Sequence, residues 1–250
     1  MPAFISEIRR TRHRTTGCFL AASLALALAA CGSRSTSDEM LLEDALDTTF
    51  DDVDSVTSTL RTLTDGTTVT RRALVDGDPE CHMHISKGQL TMDLLVSDAG
   101  HYSRGSEEAF RWAASEGIAV TPEQIETVAD RWVQRGGQVE ADLMREAVCD
   151  PKVARSALEE QLLAPENLGQ VEKESGTVNG RETAKLTFTG GPSTVEAHIA
   201  AEGRPYLLKV VERGGDVWTF GDFDKPFRAK TPAESIDEDE IPGEIVDPLV

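Results

Sequence analysis

The stretch QLTMDLLVS, residues 89–97, carries the pattern that decides the fold. Its apolar residues recur at every second position: Leu90, Met92, Leu94 and Val96. Because successive side chains of a strand point to opposite faces, these four share one face, while Thr91, Asp93 and Ser97 share the other. Such alternation is typical of a half-buried strand in an antiparallel sheet.

Similar short segments lie on both sides of this strand, separated by turn signals. Three precede it: SVTSTLRTL (55–63), TTVTRRALV (67–75) and ECHMHIS (80–86). Five follow in the C-terminal third: GQVEKESGTV (169–178), RETAKLTFTG (181–190), STVEAHIAAEG (193–203), PYLLKVVERGG (205–215) and DVWTFGDFD (216–224). Short runs bounded by pairs such as Asp65-Gly66 and Asn179-Gly180 are typical of hairpins, so two antiparallel meanders are predicted.

Helical periodicity appears before and between the two meanders. A first amphipathic helix is predicted near 40–52, and further helical segments at 106–117, 121–137, 138–149 and 150–163. Ser106, Thr121 and Asp150 are predicted N-caps, and a proline follows each of the last two. The order helix, meander, helices, meander predicts an α+β domain.

The first thirty residues have the features of a lipoprotein signal peptide. Arg9, Arg10, Arg12 and Arg14 precede an uncharged run over 18–30, which is too short to span a ~30 Å hydrocarbon core as a helix. The run ends in Leu28-Ala29-Ala30-Cys31, which resembles the bacterial lipobox. We therefore expect cleavage before Cys31, attachment of diacylglycerol and palmitate there, and a location on the outer face of the cytoplasmic membrane.

Acidic residues dominate the rest of the chain. The chain has 25 Lys+Arg and 44 Asp+Glu, and without residues 1–30 the balance is 21 against 43, a net charge of −22. Such a surface repels nucleic acid and anionic headgroups, so we expect no nucleic-acid partner. Four parts are predicted: a signal peptide (1–30), a polar tether (31–39), one α+β domain (40–228) and an acidic, proline-containing tail (229–250) that is extended or disordered. We expect a monomer.

Two of the four cysteines remain for the folded domain. Cys18 leaves with the signal peptide and Cys31 takes the lipid, so Cys81 and Cys149 form an even pair in an oxidising compartment. One disulfide between them is therefore the default expectation. A C-x-x-C redox motif or a zinc site would need closer spacing and more ligands.

No catalytic signature stands in the sequence, which contains no G-x-S-x-G, P-loop, G-x-G-x-x-G or H-E-x-x-H string. We therefore expect a protein that is not an enzyme and has no cofactor. The string CHMH (81–84) contains copper-ligand residue types. Alternation places His82 and His84 on one face and Cys81 and Met83 on the other, which favours two exposed histidines over a metal site.

Several local strings resemble the LppX/LprG-like envelope lipoproteins of high-GC Gram-positive bacteria, which share the half-barrel fold of the LolA/LolB carriers. Beside the lipobox, they lie within roughly residues 40–232: Phe110-Arg-Trp112, Asp130-Arg-Trp-Val133, Asn179-Gly180, EGRPYLLKVV (202–211) and FGDFDKPFRAKTPAE (220–234). The resemblance implies a curved antiparallel β-sheet, an open half-barrel, with helices covering its concave side.

In several of these relatives the space between sheet and helices holds acyl chains. The resemblance thus implies a binder or carrier of a hydrophobic ligand, with these inner-face candidates: Leu90, Met92, Leu94, Leu186, Phe188 and Trp218. The alternative is an envelope interaction or sensor lipoprotein with a filled core that acts through protein contacts. Trp112, Trp132 and Trp218 are expected to anchor the core, with a place at a ligand mouth as the alternative.

Overall fold

A computed structural model of the chain describes residues 35–62, 65–74, 80–163 and 170–243. The predicted signal peptide and Cys31, the predicted site of lipid attachment, lie outside these described residues. These described residues cluster as one compact unit. Within the described part, no helix is both long enough and apolar enough to span a membrane.

Twelve strands of the described residues form one open sheet. They are β1 (Ser55–Thr62), β2 (Thr68–Leu74), β3 (Cys81–Lys87), β4 (Leu90–Ser97), β5 (Gly100–Gly105), β6 (Val133–Arg135), β7 (Val171–Val178), β8 (Arg181–Phe188), β9 (Val195–Ala200), β10 (Leu207–Glu212), β11 (Asp216–Gly221) and β12 (Ile236–Asp237). Their order across the sheet is β12-β6-β5-β4-β3-β2-β1-β11-β10-β9-β8-β7. Only the short β12–β6 pair is parallel among them.

Five α-helices occur in the described part of the chain. They are α1 (Ser35–Phe50), α2 (Glu107–Ser115), α3 (Pro122–Val128), α4 (Gln138–Met144) and α5 (Pro151–Leu162). A π-helical turn, Arg145–Cys149, follows α4 directly, and a 3-10 turn, Glu238–Glu240, follows β12. The α+β prediction is confirmed, because this large and mostly antiparallel sheet is combined with helices.

The two predicted meanders are joined edge to edge by one strand pair. β1 runs antiparallel to β11, from Thr57 opposite Gly221 to Thr62 opposite Asp216. Because β1 also pairs with β2, it belongs to both halves of the sheet. The chain therefore builds a single continuous surface rather than two separate sheets.

The largest core lies between α1, α5 and the C-terminal half of the sheet. Leu46 and Phe50 of α1 and Leu158 of α5 are at most 1% exposed. They pack with strand residues such as Leu186 and Phe188, which are just as deeply buried. These two helices therefore close this half of the sheet face.

A second helical layer covers the N-terminal half of the same face. Met144 and Val148, from α4 and the π-helical turn, pack against buried residues of β2, β3 and β4. Cys149, at the end of this turn, forms a disulfide with Cys81 of β3, with the two Cα atoms 5.2 Å apart. The disulfide thus attaches the turn covalently to the sheet.

The prediction of one helix over 121–137 is wrong for the second half of that range. The helix α3 ends at Val128, and Asp130 adopts a positive φ of 59°. The chain then forms β6, which pairs with β5 from Ser103 opposite Val133 to His101 opposite Arg135. A residue in the left-handed conformation cannot continue a right-handed α-helix. The side chain of Val133 is buried in the sheet rather than on a helix.

Both predicted ends of the domain differ from the structure. The helix α1 begins at Ser35, inside the predicted tether. In the predicted tail, Ala229 packs on the face of the sheet opposite α1 and α5, and Ile236 and Ile241 pack beside α2 and α3. These isolated apolar residues hold the described part of this acidic segment, residues 229–243, against the fold.

Candidate ligand-binding face

Apolar side chains line up across six neighbouring strands on the helix-covered face of the sheet. The register places them next to one another in this order: Val210, Trp218, Leu60, Val69, Ile85 and Met92. We call this set the apolar row. It lies near the hairpin ends of β1–β2 and β3–β4, close to Asp65-Gly66 and Lys87-Gly88.

The apolar row is closed at its two ends and partly open in its middle. Val210 and Met92 are 1% and 3% exposed, whereas the four residues between them are only partly buried. Deeper on the same face, a parallel set of residues is at most 2% exposed: Val56, Ala73, Cys81 and Val96. The helices therefore close the deep part of the face and leave the hairpin end partly accessible.

Between these two sets lies a charged side chain, Arg71 of β2. Its Nη1 donates to the backbone oxygen of Val148 at 3.0 Å and reaches that of Asp150 at 3.4 Å. Burial lowers the pKa of the Arg71 guanidinium, and the nearby Asp150 carboxylate opposes this shift. The guanidinium of an arginine is not deprotonated in proteins at neutral pH, so Arg71 carries its charge here.

The six sequence-predicted ligand candidates all lie on this face, but in different settings. Leu94, Leu186 and Phe188 are at most 1% exposed and belong to packed cores, where helices cover them. Leu90 and Trp218 are only partly buried. Alternation alone identified the face, but it missed Leu60, Val69 and Ile85 as members of an open row, because it does not show where the helices end.

The expected role of the tryptophans as core anchors holds only in part. Trp112 is 45% exposed on α2, so that prediction is wrong for this residue. Trp218 packs at the edge of the largest core, and its ring is stacked 6.2 Å from Phe220. Trp132 packs on the opposite face of the sheet, beside Phe227 of the C-terminal segment.

The opposite face carries a polar cluster around Asp93 of β4. His82 Nε2 and His84 Nδ1 donate to Asp93 Oδ1 at 3.0 and 2.9 Å, and Arg104 Nη2 donates to Oδ2 at 2.8 Å. The Arg104 guanidinium also lies 4.7 Å above the Trp132 ring. Burial by itself raises the pKa of the Asp93 carboxyl, but the hydrogen bonds from His82, Arg104 and His84 together outweigh it and hold that pKa well below its ordinary value.

This cluster contains the two histidines that the sequence offered as weak metal candidates. His82 and His84 do share a face, while Cys81 is in the disulfide and Met83 packs on the other face. Among the described residues, no group of three or more His, Cys, Asp or Glu side chains is arranged to hold a metal ion. The Arg104 charge on Asp93 further disfavours a cation there.

Replacing Asp93 by asparagine should make the protein less stable at neutral pH and less sensitive to acid. The carboxylate is 8% exposed and accepts charged hydrogen bonds, so we expect a loss of about 1–3 kcal/mol in the free energy of unfolding. Because the folded pKa is depressed, this stabilisation is fully present above the ordinary pKa of 3.8 and disappears as the pH falls toward the folded value.

The measurement is urea unfolding of wild type and Asp93→Asn between neutral and strongly acidic pH. The difference between the two proteins should shrink as the pH drops below the ordinary pKa. Asp98→Asn, at an exposed turn position next to the same strand, is the control. A gap between wild type and Asp93→Asn that keeps its size at low pH would contradict the prediction.

Comparisons with known proteins add little to this geometry. No protein-family model and no curated protein matches the chain. Two solved structures of PNGF-II, in space groups P21 and C2, match with TM-scores of 0.23 and 0.24 at 9% identity, covering 77% and 73% of this chain. The chain spans only 31% and 30% of those proteins, and likenesses this weak carry no argument about fold or function.

Proposed function

We propose that the protein is a lipid-anchored lipoprotein on the outer face of the cytoplasmic membrane that binds a hydrophobic ligand without catalysing a reaction. The ligand, an acyl chain of a lipid, lies between the helices and a curved, half-barrel sheet, as in the LppX/LprG-like proteins that the sequence resembles. The anchor is the diacylglycerol on Cys31, and the protein acts as a monomer.

The observation that carries this proposal is the partly open apolar row. The four partly exposed side chains of the row lie on neighbouring strands about 4.8 Å apart and together span roughly 14 Å. That length suits part of an extended acyl chain. Leaving such a stripe partly exposed costs hydrophobic free energy of about 25 cal/mol per Å², which a bound chain would recover.

A second candidate function rests on the packing of the C-terminal half of the sheet. There α1 and α5 bury their apolar residues completely against the strands, and the face is filled with side chains. If the apolar row closes in the same way in solution, the protein acts as an envelope interaction or sensor lipoprotein through protein contacts. This alternative predicts no bound lipid.

Native mass spectrometry distinguishes the two functions. The chain is expressed from Gly32 onward, so that no lipid is attached at Cys31, and is purified without detergent. The proposed function predicts adducts with the mass of a lipid that organic extraction removes. Unmodified protein only, both after purification and after incubation with fatty acid, would count against it.

A pair of neighbouring substitutions on β2 tests the location of the ligand. Val69→Asp places a carboxylate in the middle of the apolar row, whereas Thr70→Asp places one on the opposite face of the same strand. Burying a charge beside an acyl chain is costly, so Val69→Asp should reduce the lipid-bound fraction at least about tenfold, equivalent to about 1.4 kcal/mol. Thr70→Asp should leave it nearly unchanged. Equal behaviour of the two variants would exclude the apolar row as the site.

A further inference from the structure

Arg71 is a charged residue on the otherwise apolar inner side of its strand. Its neighbours on that side of β2 are Val69 and Ala73, and it lies opposite Ser58 on β1 and Met83 on β3. None of these four side chains can neutralise a guanidinium. The register therefore places a cation on a side of the strand whose other residues are apolar.

The hydrogen bonds of the Arg71 guanidinium are incomplete. Both of its acceptors are backbone oxygens, those of Val148 and Asp150, and both bind Nη1. Nη2 is buried and has no hydrogen-bond partner among the described residues. The Asp150 carboxylate lies near the guanidinium and favours its charge, but the two acceptors that bind it are backbone oxygens. An unpaired N–H donor costs free energy, so Nη2 favours a negatively charged oxygen from outside the chain.

The position of Arg71 relative to the apolar row defines which molecule could supply that oxygen. Val69, a member of the row, is the next inward-facing residue on the same strand, about 7 Å along the chain direction. The guanidinium also lies under the junction between the π-helical turn and α5, because it binds the backbone at Val148 and Asp150. A cation therefore stands beside an apolar stripe that is partly accessible.

We propose that Arg71 binds the anionic headgroup oxygen of an amphiphile whose acyl chain lies along the apolar row. The ligand class is a lipid with a carboxylate or phosphate head, and the proposal rests on the proposed function. The planar guanidinium suits such oxygens because it presents several N–H donors in one plane. The Arg71 charge is also distinctive in a chain with a net charge of −19, whose surface repels anions.

Photo-crosslinking with two matched probes tests this inference. The full-length protein in phosphatidylcholine nanodiscs is illuminated with a diazirine-bearing hexadecanoic acid or with the corresponding hexadecanol, and the concentration for half-saturated labelling is measured. Wild type should bind the acid more tightly than the alcohol. In Arg71→Gln the half-saturating concentration of the acid should rise at least about tenfold, equivalent to about 1.4 kcal/mol of binding free energy. That of the alcohol should change by less than about twofold.

Arg72→Gln is the matched control, because Arg72 lies on the opposite face and contacts Phe227 and the backbone oxygen of Pro226. It should leave the preference for the acid unchanged. Arg71→Met is measured as well, since an unbranched apolar side chain fills the same space without unpaired donors. The ratio of the two half-saturating concentrations is the readout in every variant, so a partly unfolded fraction does not alter the conclusion.

The outcomes separate the inference from the proposed function. Equal loss of acid and alcohol binding in both Arg71 variants, or no change in either, would overturn the headgroup role and leave the hydrophobic site intact. Competition by inorganic phosphate or acetate as strong as that by unlabelled fatty acid would overturn it too, since the site would then hold a free anion. Absence of saturable labelling by both probes in wild type would overturn the proposed function itself.

Discussion

Replacing Cys81 and Cys149 together by alanine is expected to lower the free energy of unfolding by about 4 kcal/mol. The two residues are 68 positions apart, so the bond removes a large loop from the unfolded ensemble. Both side chains are 0% exposed, in a core formed by β2, β3, β4 and the π-helical turn. Without the bond, that turn is held to the sheet only by packing and by contacts such as those of Arg71.

Urea unfolding of the chain from Gly32 onward measures this effect. Oxidised wild type should unfold at the highest urea concentration, and reduced wild type and the double alanine variant should unfold at similar, lower concentrations. Thiol labelling of the unreduced, denatured chain should find no free cysteine. A free thiol in that chain, or a double variant as stable as oxidised wild type, would contradict the prediction.

Phe50→Ala should destabilise the protein by about 3–5 kcal/mol, because it empties space at the centre of the largest core. Phe50 is 0% exposed at the end of α1, and its ring meets that of Phe220 edge to face with the centroids 5.4 Å apart. The contact ties α1 to β11, the strand at which the two halves of the sheet join. Removing the Phe50 ring therefore weakens the packing of both α1 and β11.

Met40→Ala is the matched control for this substitution, since Met40 is 66% exposed on the same helix. A change of less than about 0.5 kcal/mol is expected there, because surface substitutions rarely exceed that. Urea unfolding followed by circular dichroism gives both values. Similar losses in the two variants would show that α1 does not dock on the sheet through Phe50.

Local chemistry made several features predictable. The side chains of Ser106 and Asp150 accept backbone hydrogen bonds as N-caps of α2 and α5, as expected. Thr121 forms a full capping box with Gln124, and Pro122 begins that helix. Strand alternation also placed Asp93 on the polar face, although the cluster of charges around it depends on neighbouring strands. These features follow from residues a few positions apart.

Other features depend on contacts that no local pattern encodes. The turn at Asp130 and the short strand β6 replace half of a predicted helix, because Val133 finds a place against β5. The acidic tail joins the fold through Ile236 and Ile241, whose partners are far away in the chain. In each case long-range burial outweighs a local tendency.

The sequence by itself determined the faces of the strands, the capped starts of α2, α3 and α5 and the α+β order, because each depends on side-chain alternation or capping within one element. Only the tertiary structure decided that β1 pairs with β11, which part of the inner face the helices cover, and that the Arg71 guanidinium has one unpaired nitrogen there. Those properties arise where distant elements meet, since burial and hydrogen-bond satisfaction are decided only by the surroundings that the whole chain builds.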